Sequence, residues 1–148
     1  AVWFHKYFAV RRIVKALTTA DVVISHSNGS NYENKALRLL EHGQRKYIII
    51  RLSPALNKNT DAAANVWRAA VFHTRTDFWV LLSGLLWFHP WGLQGWCGYK
   101  GKDIRFTNFD YSDLILNHSD WFADGNLEIV AKEILQYISP PLGVKGNG

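Results

Sequence analysis

Two short runs, Val22-Val23-Ile24 and Tyr47-Ile48-Ile49-Ile50, are apolar at every consecutive position. A strand with one wet face alternates apolar and polar residues. An unbroken apolar run belongs to a strand covered on both faces, the usual condition in a parallel sheet. Helical periodicity flanks each run. Ahead of the first, Phe4, Phe8, Val10, Ile13, Val14 and Leu17 predict a helix over 3–17. Between the two, Ala36, Leu37, Leu39 and Leu40 give the apolar side of a helix over 32–41, with Asn31 or Ser30 as its cap and Gly43 past its end. The pattern continues with a helix over 61–73 capped by Thr60, a third strand over 77–86 and a hairpin over 96–109 that turns at Tyr99-Lys100-Gly101-Lys102. An acidic loop over 110–125, with room for a short helical turn, precedes an amphipathic helix over 127–138 that Pro140-Pro141 ends.

That order predicts an α/β fold: a three-layer sandwich with a mostly parallel sheet of five strands and a small aromatic-rich edge hairpin. An α+β roll built on the hairpin is the competing architecture. The 148 residues suit one domain spanning 1–148, with a flexible tail over 143–148 and no internal repeat or long polar linker. Surface scaling has folding remove about 69% of the chain's surface from water, enough for one core without staples. At 48% apolar and 20% charged residues, disorder is excluded. Cys97 is the single cysteine, which excludes an intrachain disulfide and a cysteine-rich metal knuckle. With no leader pattern near Ala1, the expectation is an intracellular, cytoplasmic protein. Residues 78–99 carry no formal charge, but His89, Pro90, Gly92, Gln94 and Gly95 interrupt them. They leave about 11 to 14 usable residues where a membrane span needs about 20. No transmembrane segment is expected.

Charge divides the chain. Residues 1–75 hold twelve Lys and Arg against four Asp and Glu, and residues 76–148 hold five against eight. This polarity suits an anion-binding half beside an acidic, aromatic one. The basic residues fall in small separate groups, which permits a nucleic-acid-binding role without indicating it. In the acidic half, Asp110, Asp113, Asp120 and Asp124 lie close to His118. Such carboxylates can work as acid and base or hold a hard cation, but they fit no calcium loop, and loop capping explains them as well. No metal site and no cofactor are assigned. Five tryptophans, Trp79, Trp87, Trp91, Trp96 and Trp121, fall here, with Trp91 and Trp96 expected to be the most exposed. They suit either a ligand cleft or a wall for a partner subunit or second copy through 78–99. Cys97 reads as a buried structural thiol. Two sequons, Asn28-Gly29-Ser30 and Asn117-His118-Ser119, carry little weight without a secretory signal.

The first strand's exit is the richest chemical feature. Open α/β sheets bind ligands at the carboxyl ends of their strands, and here stands Ser25-His26-Ser27-Asn28-Gly29-Ser30, with a helix following. Gly29 is expected to reverse the chain with positive φ. Amides at the helix start can receive an anion, the serines supply hydroxyls, His26 exchanges protons near neutral pH, and Glu33 can accept from hydroxyls.

Together with Ala20-Asp21-Val22-Val23-Ile24 before it and Glu33, Leu40 and Gly43 after it, this segment resembles the nucleotide-sugar-binding half of glycosyltransferases that add N-acetylglucosamine to lipid carriers. The resemblance spans 20–52. Asn28 stands where that pattern has its first glycine, and one residue of the glycine-rich turn is absent. The resemblance implies a nucleotide-sugar ligand, with Ser25, Ser27, Asn28, Gly29 and Ser30 around the diphosphate and His26 and Glu33 in catalytic roles. The expected function is therefore a nucleotide-sugar-binding domain or subunit of a glycosyltransferase. The alternatives are a non-enzymatic assembly module using the aromatic segment and a basic nucleic-acid-binding domain.

Overall fold

A computed structural model describes residues 2–85 and 93–139, with side chains over 7–82 and 93–139. In chain order the elements are α1 (Val2–Leu17), β1 (Val22–His26), α2 (Gly29–Leu39), β2 (Tyr47–Leu52), β3 (Val66–His73), α3 (Phe78–Leu85), α4 (Leu93–Cys97), β4 (Phe106–Asp110), a 3₁₀ turn (Asp120–Phe122) and α5 (Asn126–Ile138). The four strands form one sheet in the order β1-β2-β3-β4, with every neighbouring pair parallel. Helices cover both faces. On one, Leu17, Ala36 and Leu37 of α1 and α2 pack with Tyr47, Ile49, Val66 and Ala69. On the other, Val130, Ile134 and Tyr137 of α5, with Ile115 and Trp121, pack on Ile48, Ile50, Ala70 and Phe72. Odd and even residues of β2 thus serve opposite layers. The α/β sandwich and its parallel sheet are as the apolar runs imply, but β1 is an edge of the sheet and not covered on both faces: Val22 and Val23 are half-buried and Ile24 is exposed.

Three local readings need correction. The helix expected over 61–73 is instead a loop followed by β3. The run Ala69-Ala70-Val71-Phe72 is fully buried, with Ala69 in one core and Ala70 in the other. A helix would bury one stripe; this segment has to fill two layers. Its alanines mark close approach between layers, not helix propensity. The strand expected over 77–86 is helix α3, started by Asp77, whose Oδ1 accepts the Val80 amide at 3.1 Å as an N-cap. The sheet accordingly has four strands.

The aromatic-rich edge is present, but it is not built as two paired strands. Residues 93–97 are helical, and β4 runs parallel to β3. Asn108 of β4 binds Tyr99 through its side chain, accepting the Tyr99 amide at 2.7 Å and donating to the Tyr99 carbonyl at 2.9 Å. A side-chain amide here imitates the ladder a hairpin would have used. Tyr99 stacks on Phe106 at 3.9 Å. Trp96 is half-buried, its indole donating to the Arg75 carbonyl at 2.8 Å, whereas Trp79 and Trp67 are exposed. Trp87, Trp91 and the tail 143–148 lie outside the described residues. Among the described residues, no helix is long and apolar enough to cross a membrane.

Helix α4 rests directly on the backbone that leaves β2. A Cβ on Gly95 would stand 2.6 Å from the Ser53 carbonyl carbon and 2.9 Å from the Pro54 oxygen. Backbone cannot swing aside, so Gly95→Ala is expected to cost about 1–3 kcal/mol by overpacking. Gly29, whose Cβ would meet nothing within 4 Å, is the control. Gly29→Ala should stay within about 1 kcal/mol of the parent. Urea midpoints of the two variants check this, and equal midpoints would contradict the seating of α4.

Candidate active site

Each strand's carboxyl end opens on the same rim: His26 and Ser27 after β1, Ser53 after β2, His73 and Thr74 after β3. Two residues on this rim have positive φ without being glycine, Ser27 at 53° and Ser53 at 40°. Left-handed backbone costs a residue with a Cβ about 1–3 kcal/mol, so surrounding bonds must impose it. They do so in sequence. The Ser27 amide donates to the Leu52 carbonyl at 3.0 Å, extending the β1–β2 ladder by one residue, and the Ser53 amide donates to Phe72 at 2.9 Å. The Ser27 carbonyl then accepts the Ala55 and Ser30 amides at 3.0 and 3.2 Å. The reversal expected at Gly29 occurs at Ser27. Gly29 is already the first residue of α2, without positive φ.

Beneath this turn lies a closed polar network. Glu33 is 2% exposed and Arg51 fully buried. The Arg51 Nε and Nη2 donate to the two Glu33 oxygens at 3.0 and 3.2 Å. Ser25 Oγ donates to Glu33 Oε2 at 3.0 Å and lies 3.0 Å from Ser30 Oγ. Arg51 Nη1 donates to Gln94 Oε1 at 3.3 Å. Ser25, Ser30 and Glu33 therefore face one another and Arg51 rather than the rim. Asn28 caps α2 without a side-chain bond to it; its Oδ1 accepts the Asn31 amide group at 3.0 Å.

Above the turn stands a second arrangement, contributed by distant segments. Asp77 is fully buried at the start of α3, and its Oδ2 meets His118 Nδ1 at 2.6 Å. Burial pushes the Asp77 carboxyl up, but bonds from His118 and the Val80 amide, the His118 charge and the Ser53 hydroxyl outweigh it and hold the group below its usual range. Trp121 Nε1 donates to Ser53 Oγ at 2.9 Å, so a buried chain runs from indole to hydroxyl to carboxylate to imidazole. The imidazole is partly exposed. Among the described residues nothing bonds to its Nε2, and Ser27 Oγ is likewise without a partner. The amides of Asn28 and Gly29 at the helix start also have none among those residues. His26 joins turn and base: its Nε2 lies 3.1 Å from the His118 carbonyl oxygen, and the two rings are 4.6 Å apart.

Of the residues singled out by sequence, Ser27, Asn28 and His26 thus reach the rim, while Ser25, Ser30 and Glu33 brace it from below. Asp77, His118, Ser53 and Trp121 were not singled out for this role. A usable signal existed. His26-Ser27-Asn28-Gly29 after an apolar strand fits the x-S-x-G part of a nucleophile elbow, with Ser25 replacing the first glycine. Two of the other aspartates act in loop structure: Asp110 accepts from Ser112, and Asp120 Oδ2 accepts the Leu116 and Asn117 amides. Cys97 Sγ contacts the Leu93 carbonyl of its own helix. Among the described residues, no three His, Cys, Asp or Glu side chains are grouped to hold a metal ion. No protein-family model, curated protein or solved structure matches the chain.

Two imidazoles at the strand ends bear on stability. Burial, then the charge of His118, holds His26 below the ordinary imidazole range, against its bond to the His118 carbonyl and the Asp77 charge. Burial does the same to His73, against the Asp110 charge. With pKa depressed in the folded state, the unfolded chain takes up these protons first, as pH falls through about 6.5. The unfolded state then holds more protons, so stability is full above about pH 6.5 and declines below it. A urea midpoint that falls from pH 7.5 to 5.0, with a shallower fall in a His26→Gln, His73→Gln double variant, is the expected result. Parallel profiles for the two proteins would contradict it.

Proposed function

We propose that this chain is a serine hydrolase domain that cleaves carboxylic esters or related acyl compounds through Ser27. The observation carrying this reading is the 2.6 Å contact between buried Asp77 and His118 Nδ1, standing beside a strained strand-to-helix turn that presents Ser27. The buried carboxylate keeps a proton on Nδ1, which leaves Nε2 as a base directed outward. Ser27 follows His26, whose ring lies against the His118 ring, so nucleophile and base share one corner of the rim. In the first step Ser27 Oγ attacks the acyl carbon while His118 Nε2 takes its proton. The Asn28 amide, next after the nucleophile, receives the developing oxyanion. Collapse returns the proton to the leaving alkoxide and leaves an acyl-serine. Water, deprotonated by the same imidazole, then releases the acid and restores Ser27.

The order Ser27, Asp77, His118 along the chain is the order found in hydrolases built on parallel sheets with a nucleophile elbow, a likeness at the level of fold. Nucleotide-sugar binding, implied by the resemblance over 20–52, would draw on Ser25, Ser30 and Glu33. Those groups are buried and already bonded to one another. Acyl chemistry uses groups on the rim that lack partners among the described residues, and it therefore accounts for the geometry better.

A fluorophosphonate probe should label the folded chain at Ser27, mapped by mass spectrometry, and p-nitrophenyl acetate should be hydrolysed. Ser27→Ala should abolish both, and Asp77→Asn should lower kcat by about 10³–10⁴-fold by misorienting the imidazole. A folded protein left unlabelled at saturating probe, but binding uridine diphosphate, would favour the nucleotide-sugar reading instead.

A further inference from the structure

His118 sits in an irregular stretch between β4 and the 3₁₀ turn, where no helix or strand fixes its backbone. A general base misplaced by about 1 Å can cost on the order of 100-fold in rate, so something must hold that stretch. Asp77 fixes one ring nitrogen, which constrains the side chain. Asp120 gathers the Leu116 and Asn117 amides and shapes the chain just before the base. Neither fixes the distance from His118 to Ser27.

We infer that His26 is a positioning residue, which donates Nε2–H to the His118 carbonyl and so sets the spacing of base and nucleophile. The inference rests on the hydrolase reading above. The argument is one of connectivity. The nucleophile and the group that clasps the base's backbone are covalent neighbours at the end of β1, so the base is referenced to the residue it must serve. The bond measures 3.1 Å. Phe122, edge-on to the His26 ring at 5.1 Å, closes another side and limits the ring's freedom. An Nε2 donor requires the Nε2–H tautomer, or a charged ring. The neutral form is favoured by burial and by His118 next to it, with Asp77 as the opposing carboxylate. Neutrality also suits turnover, since the His118 ring 4.6 Å away becomes an imidazolium when it takes the serine proton.

The test uses two variants and one measurement on the parent. His26→Phe keeps a ring against Phe122 and His118 but removes the donor. His26→Gln restores an N–H near the position of Nε2. Fluorophosphonate labelling of Ser27 is read as a maximal rate and a half-saturating concentration. His26→Phe should lower the maximal rate at least tenfold with little change in half-saturation, and His26→Gln should recover most of the loss. The low-field proton resonance of the His118 Nδ1–H bond to Asp77 should broaden in the Phe variant and sharpen again in the Gln variant. In the parent, ¹⁵N shifts should report the Nε2–H tautomer of His26. Labelling of the Phe variant at the parent rate, no rescue by Gln, or an Nδ1–H tautomer in the parent would each overturn the inference. The ¹⁵N measurement decides even if the Phe variant does not fold. Should the parent itself resist labelling, the hydrolase reading fails, while the His118 resonance still tells whether His26 holds that loop.

Discussion

Arg51 and Glu33 form a fully dry, two-bond ion pair, and the geometry of the rim depends on it. Arg51 occupies a position of β2 where neighbours on the same face, Tyr47 and Ile49, are apolar. Placing a guanidinium there carries a desolvation cost of several kcal/mol, which Coulomb attraction repays only with good geometry and full hydrogen bonding. Both conditions hold: Glu33 takes two bonds from Arg51 and one from Ser25, Gln94 accepts from Nη1, and Asn34 accepts from Nη2, which Glu33 shares. An apolar pair of the same volume would hold the layers together as well or better. It would not hold α2 at one height on β2. The ion pair joins the second turn of α2 to the strand next to β1, so it fixes where α2 begins and therefore how sharply the chain must turn at Ser27. Through Gln94 the same cation reaches α4, which rests on Ser53 and Pro54.

How much of this was legible in the sequence follows from where the information lies. Tyr47-Ile48-Ile49-Ile50 states its burial in consecutive residues and α1, α2 and α5 theirs in helical spacing, whereas Val22-Val23-Ile24 marks a strand but overstates its cover, because β1 is the edge of the sheet. Those elements form as expected, within a few residues at their ends. The stretch from 61 to 86 carries mixed signals. Ala62-Ala63-Ala64 and Ala69-Ala70 read as helix by propensity alone, yet two faces of covering layers made β3 a strand. Phe78-Trp79-Val80-Leu81-Leu82 reads as a buried strand by hydropathy, yet one cap from Asp77 started a helix and left Phe78 and Trp79 exposed. Periodicity over short apolar runs does not separate these cases.

The site was half legible for a different reason. Ser25 to Glu33 announces itself as a polar strand-to-helix turn, and the structure forms that turn, with Ser27 at positive φ. Which of its residues face the rim depends on Arg51, whose partner is visible only once β1 and β2 are paired. Asp77 and His118 lie far downstream, in stretches that read as strand and acidic loop. They meet because the order β1-β2-β3-β4 stacks four exits along one edge of the sheet. His118 lies among aspartates in sequence, but its partner is none of them. Local density of carboxylates pointed to the wrong acid.

Two strained serines stand on that edge. Two neighbouring strands leave the sheet through serines held at positive φ, where glycine would cost nothing. Glycine would also supply no hydroxyl. At Ser53 the hydroxyl is consumed internally, accepting from Trp121 and facing Asp77. At Ser27 it has no partner among the described residues and stands at the rim. The same backbone conformation therefore yields one hydroxyl bonded internally and one without a partner among the described residues, the one that the hydrolase reading makes the nucleophile. Trp121 bonds to Ser53, whereas His26, next to Ser27 in the chain, is turned onto His118. A fold optimised for stability alone would place glycine or asparagine at both turns and gain back the strain. Keeping a serine at each costs about 1–3 kcal/mol per residue, which the ladder bonds to Leu52 and Phe72 and the ion pair beneath are positioned to offset.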